Sequence, residues 1–302
     1  MGDIDAELRA AALSHVAALE NRFGVLAWAQ IEEGFEFRGE RVRLAGRARG
    51  IFKPQQLRGG ALSIRTPQPR AGRGRRYDDQ IGSQTPYFVY RWQGEDRDNS
   101  DNRSLRYCLQ HNLPLIYFYG VAEAAYQPII CQVVAEDEAN KSFHVRPAER
   151  EAIEANPILR VASLPIERRY GISEVRRRLH QQKFRAAVML AYETRCAICR
   201  LRHSPLLDAA HIIADAEPLG EARVSNGLAL CKLHHAAFDN ALLGITPDLV
   251  VRLHAGLLAE QDGPMLEHGL RAFEGAHLVV PEAEDDRPDR DLLSERWRRF
   301  AA

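Results

Sequence analysis

Between Cys196 and Asn240 the chain gathers three of its five cysteines and four of its eleven histidines. Two pairs have the spacing of metal knuckles, Cys196-x-x-Cys199 and Cys231-x-x-His234. Each pair offers two soft ligands from one tight turn, and two such turns close a tetrahedral zinc site. A structural zinc contributes on the order of 10 kcal/mol of folding free energy to a small domain. A lone CxxC is commonly a pair of ordinary thiols, so the second pair carries the metal expectation. A structural site uses four ligands, and this segment has more. His211, Asn226 and His235 remain, and Asp239 lies four residues after His235, on the same helical face.

The stretch "AAHI…NGLALCKLHHAAFD", with these residues inside the two knuckles, closely resembles the HNH nuclease motif over roughly 185–245. That motif is a ββα fold around one catalytic metal. The resemblance implies that His211, on a strand, takes the proton of the attacking water. It implies that Asn226 orients that strand and could reach the metal. His235 would open the helix as a metal ligand, with Asp239 as a second ligand. The implied cofactors are a structural Zn²⁺ and a catalytic divalent metal such as Mg²⁺ or Mn²⁺, which stabilises charge developing at the phosphodiester. Many members carry a ligating Asp immediately before the first His. Here that residue is Ala210, so Asp239, or else Asp208, would supply the carboxylate.

A second resemblance covers residues 77–121. Tyr77, Asp78/Asp79, Tyr87/Tyr90, "NRSL" at 102–105 and "PLIYFYGV" at 114–121 look like the SRA domain, a PUA-like β-barrel that flips a modified cytosine out of duplex DNA. It implies that Tyr77 and Tyr90 sandwich the base beside Tyr87, and that Asp79 accepts from the cytosine amine. The family's glycine-rich segment is replaced here by "RWQGEDRDN", and alternating aromatics such as "YFVYRW" also suit a sheet core. A modified-base reader joined to an HNH nuclease resembles modification-dependent restriction endonucleases, which cut foreign, phage-like DNA. Double-stranded DNA with modified bases is the implied partner. A double-strand break by one-metal sites suggests two of them, hence a homodimer.

The formal net charge is zero, but its distribution is uneven. Residues 41–76 contain eleven Arg or Lys and no acid, whereas acid concentrates in "EAEDD" at 282–286. A basic run of this kind is a footprint for a polyanion, or a solvated basic face. Arg73, Arg75 and Arg76, with Arg176 and Arg178 on a later helix, are the candidates for backbone phosphates.

These sites need positioning elements. The expected fold class is α+β. An amphipathic helix over 4–20 precedes short strands rich in β-branched and aromatic residues, including "VLAWAQI", "FEFRG", "LSIRT", "YFVYRW", "PLIYFYGV" and "PIICQVVAE". Residues 1–147 read as a mostly-β, SRA/PUA-like recognition domain, 148–171 as a linker, and 172–302 as a zinc-stabilised ββα-metal domain opened by a helix. No apolar run of about 18 residues suggests a membrane span. Sparse cysteines with metal spacing suit a reducing, cytoplasmic setting. Two other readings share these features: an HNH nuclease for unmodified or structured nucleic acid, and a non-catalytic zinc-dependent DNA-binding regulator.

Overall fold

The computed structural model describes residues 4–68, 87–149, 154–162, 172–261 and 263–301. The chain divides into two compact units, Met1–Leu179 and His180–Ala302.

The first unit runs α1 (Ile4–Phe23), β1 (Leu26–Ala27), α2 (Trp28–Glu33), β2 (Phe35–Phe37), β3 (Glu40–Val42), β4 (Ile51–Phe52), β5 (Ser63–Thr66), β6 (Phe88–Arg91), α3 (Ser100–Gln110), β7 (Pro114–Ala122), β8 (Ala125–Asp137), β9 (Ser142–Pro147) and α4 (Pro157–Val161). Its main sheet has the order β4-β5-β7-β8-β9-β6, with β1 also paired to β8. Among the described residues only β5 and β7 pair in parallel. Among the described residues this path does not close on itself, and helices cover the sheet. The unit is therefore mixed α+β, with more helix than a mostly-β domain.

Strand β7 shows why the sheet is covered on both faces. Its first eight residues are all buried. Ile116 and Phe118 pack with Leu8, Leu13 and Val16 of α1. Leu115, Tyr117 and Tyr119 pack with Leu105 and Cys108 of α3. Successive strand residues point to opposite faces, so a strand between two layers reads as one apolar run. The segment "VLAWAQI" does not form the expected strand. Only Leu26 and Ala27 pair, after which Gln30 Oε1 accepts the Ala27 amide at 2.7 Å and starts α2. Strand β9 was not expected from the sequence. It pairs β8 to β6 and has a mixed polar pattern.

The second unit receives the later turns of α5 (Ile172–Ala191). It continues through β10 (Leu207–His211), β11 (Gly227–Cys231), α6 (Lys232–Asp239), β12 (Leu243–Ile245), β13 (Val251–Leu253), α7 (Ala255–Ala259), α8 (Pro264–Gly269) and α9 (Arg290–Ala301). Phe184 and Val188 of α5 pack with Leu207, Leu228, Leu230 and Phe238 in one core. Gly227 is needed there. A Cβ on it would lie 2.4 Å from Val188 Cγ2 and 2.9 Å from Phe184 Cζ, a clash that a close-packed interior cannot absorb. The C-terminal helix α9 joins the same core through Leu292 and Leu293.

Candidate functional site

The first knuckle is a turn in which Cys196 accepts the amide of Arg200 at 3.0 Å, with Arg200 at φ 63°. The second sits where β11 passes into α6, with Cys231 as the N-terminal cap residue. Together Cys196, Cys199, Cys231 and His234 bring one ligand atom each within 4.8 Å of the others. His234 Nδ1 lies 3.4 Å from Cys196 Sγ and 3.2 Å from Cys231 Sγ, and Cys199 and Cys231 are 3.9 Å apart at sulfur. A tetrahedron with Zn–S of about 2.3 Å and Zn–N of about 2.0–2.1 Å has S···S edges of about 3.8 Å and S···N edges of about 3.6 Å. The four donors fit those edges.

The electrostatics agree with a cation there. Hydrogen bonds from the Cys199 and Cys231 thiols hold Cys196 far below its ordinary thiol range. Burial opposes a charge on His234, yet its bonds to Cys196 and Cys231 push it up to about 9. The Cys196 thiolate thus draws positive charge to the centre of the group, while the same hydrogen bonds push the Cys199 thiol up. His234 Nε2 faces the Gly269 carbonyl at 2.9 Å and donates to it, which leaves Nδ1 as the ligand atom.

The next residue on α6, His235, turns to a different side. Its Nε2 lies 3.1 Å from Asp239 Oδ2, and its Nδ1 lies 3.6 Å from Asp208 Oδ2. Asp208 belongs to β10 and also receives Lys232 Nζ at 2.7 Å, with Arg185 at 3.9 Å. Burial opposes its ionisation, but Lys232 and its neighbours hold its carboxyl below the ordinary value. His211 ends β10 opposite Gly227 of β11. Its ring stacks on Phe184, with centroids 3.9 Å apart and planes 13° from parallel. Its Nε2 is buried and meets no partner among the described residues. Burial lowers its pKa from the ordinary 6.5, and the charge of Asp215 only partly opposes this.

Asn226 is fully buried at the turn before β11. Its Oδ1 accepts from Ile213 N at 2.9 Å, and its Nδ2 donates to Ile213 O and Glu221 O at 3.0 Å each. The amide is occupied by backbone at both ends. It fixes the loop leaving His211 and is not placed to reach a metal.

Residues 196–246 match the family model described as HNH endonuclease. These residues are an HNH endonuclease domain. No curated protein matches the chain. Among solved structures, a "Modification dependent TagI restriction endonuclease" is 18% identical over 80% of this chain and 82% of that one, with a TM-score of 0.29. The "Type IV phosphorothioation-dependent restriction endonuclease ScoMcrA" is 14% identical over 85% of this chain and 52% of that one, with a TM-score of 0.25. At such scores neither likeness bears on fold or substrate. The sequence did not single out three residues now seen around the HNH site: Phe184, Lys232 and Arg185. The one sequence signal available is the spacing of Phe184 and Val188, four apart on one helical face.

Outside the HNH domain the expected site residues fare differently. Tyr77, Asp79, Arg73, Arg75 and Arg76 lie outside the described residues. Tyr87 is half-buried and stacks on His144 at 3.9 Å. Tyr90 is 5% exposed, a member of the core packed edge-on against Tyr117. It offers no open face for a base. Arg176 and Arg178 also depart from their expected role. Arg176 donates to the Tyr87 carbonyl at 3.2 Å, and burial lowers its pKa. Arg178 pairs with Glu20 at 3.5 Å. Both serve contacts inside the first unit rather than a phosphate track. The basic run is likewise partly neutralised in space, because Arg47 pairs with Glu32 and Arg49 with Asp101.

Proposed function

We propose that this chain is a modification-dependent restriction endonuclease whose HNH site hydrolyses DNA phosphodiesters. The observation that carries the nuclease half is the His235 arrangement, one imidazole between the carboxylates of Asp208 and Asp239. A divalent metal suits this donor set. His235 Nε2 and Asp239 would hold it, and Asp208 would orient the ring from the Nδ1 side. Bound there, such a metal would supply positive charge for the reacting phosphodiester and lower the pKa of water. Asp239 would stand in for the carboxylate absent at Ala210.

His211 takes the water's proton. Its buried Nε2 leaves Nδ1 as the atom that a water can reach. The Phe184 stack fixes the ring plane, and the lowered pKa keeps the ring neutral and able to accept. Asn226 holds the strand end that carries it. The zinc knuckles hold β11 and α6, and therefore His235, in register with β10.

The reader half rests on sequence: the Tyr77, Asp79 and Tyr87 pattern beside the acid-free run over 41–76. In this reading a modified base, most simply a modified cytosine, is flipped into a pocket of the first unit. Two copies acting together would cut both strands, and three of the five cysteines serve metal knuckles, a usage suited to a reducing cytoplasm. The core position of Tyr90 favours a second reading, an HNH nuclease that selects unmodified or structured DNA. Digestion of matched modified and unmodified DNA with Mg²⁺ or Mn²⁺ separates the two.

A further inference from the structure

Helix α9 carries four arginines against two acids in twelve residues, with Trp297 and Phe300 three apart. An open pocket of about 110 Å³ lies between its inner face, the end of α6 and β12.

Its walls have a particular chemistry. Trp297 and Phe300 lie 5.2 Å apart at their ring centroids on one side. Phe300 packs against Gly244, where any side chain would come within 2.5 Å of the ring. On the other side Arg296 donates to the Phe238 carbonyl at 2.9 Å and lies 4.7 Å over the Phe238 ring. Arg299 also lines the pocket and is held by Glu217 at 2.8 Å and Glu295 at 3.3 Å. Aromatic faces with fixed guanidinium groups are the chemistry of unstacked nucleobases.

The decisive feature is another wall residue, Asp239. The same carboxylate lies 3.1 Å from His235. A strand whose phosphate reached His235 would therefore bring an adjoining nucleotide to the pocket mouth. We propose that this pocket receives an unstacked base of the DNA strand next to the scissile phosphate. The proposal rests on the nuclease reading for its choice of partner. It assigns α9 a role in holding substrate at the reacting bond, separate from any reader in the first unit.

Photocrosslinking of the full chain tests this. The probe is a 5-iodouracil-substituted DNA with a single-stranded segment beside a duplex, bound to the His211→Ala protein with Mg²⁺. Peptide mapping should place a crosslink on Trp297 or Phe300. Trp297→Leu should remove that crosslink and, with His211 intact, slow cleavage on the order of tenfold. Trp297→Tyr should restore both, and zinc content and melting temperature should not change. Crosslinks confined to other segments, or cleavage within twofold of the parent for Trp297→Leu, overturn the pocket. A crosslink at Trp297 in a protein that cuts no DNA supports the pocket while removing the nuclease reading. Cutting without the crosslink removes the pocket alone.

Discussion

Phe184 and His211 are stacked ring on ring, 3.9 Å apart and 13° from parallel. The stack joins a helix residue to a strand end twenty-seven positions later, and Gly227 makes room for it. It gives His211 both a fixed plane and an apolar neighbour. A base must be neutral to accept a proton. Burial lowers the pKa of His211 below 6.5, so the neutral form persists to lower pH than in a free histidine. The acid limb of kcat/KM against pH should therefore fall below 6.5. Phe184→Leu should move that limb upward and slow cleavage, since it loosens the ring and admits water. An unchanged limb would count against this role.

The zinc group should behave as a folding element. Cys199→Ser should strip the metal and unfold the second unit, with a cost on the order of 10 kcal/mol for losing a structural site. Elemental analysis should give one tightly bound zinc per chain, and a strong chelator should abolish the upper part of the thermal transition. Active protein without bound zinc would contradict this.

The two carboxylates flanking His235 should separate by metal dependence. Asp239→Asn removes a proposed ligand and should abolish cleavage at ordinary Mg²⁺. Asp208→Asn removes only an orienting partner, a change that typically costs about 10–100-fold in metal affinity or activity. Titration with Mn²⁺ should recover much of the Asp208→Asn rate and little of the Asp239→Asn rate. Equal recovery of both would leave their roles unassigned.

In the first unit, Tyr90 should act as core. Tyr90→Ala should lower thermal stability by about 3–5 kcal/mol, as for other large aromatic truncations, and leave base preference unchanged. Tyr77→Ala and Asp79→Ala should do the reverse in the His211→Ala background, where binding is read without cutting. Neutralising Arg73, Arg75 and Arg76 should weaken binding to all DNA and flatten its salt dependence.

The HNH segment was the most legible part of the sequence, because metal ligands declare themselves by spacing alone. Cys196, Cys199, Cys231 and His234 meet as their two knuckles suggest. Strands β5, β7 and β8 were legible from their apolar runs. What was not legible depended on contacts distant in sequence. Tyr90 reads the same whether it faces a pocket or Tyr117. Arg176 and Arg178 look like a basic face until Glu20 and the Tyr87 carbonyl are placed beside them. "VLAWAQI" is strand-like in composition, but one side-chain cap from Gln30 turns it into a helix after two residues. Asp208 gained weight only through its place beside His235 and Lys232.

The most direct test is digestion of matched DNAs, one unmodified and the others carrying different cytosine modifications, by the full chain and by His211→Ala with Mg²⁺ or Mn²⁺. The wild-type protein should cut at least one modified DNA and spare its unmodified match, and His211→Ala should bind the same DNA without cutting it. Equal cutting of modified and unmodified DNA by the wild type, or cutting by His211→Ala at a near-normal rate, would contradict the proposed function.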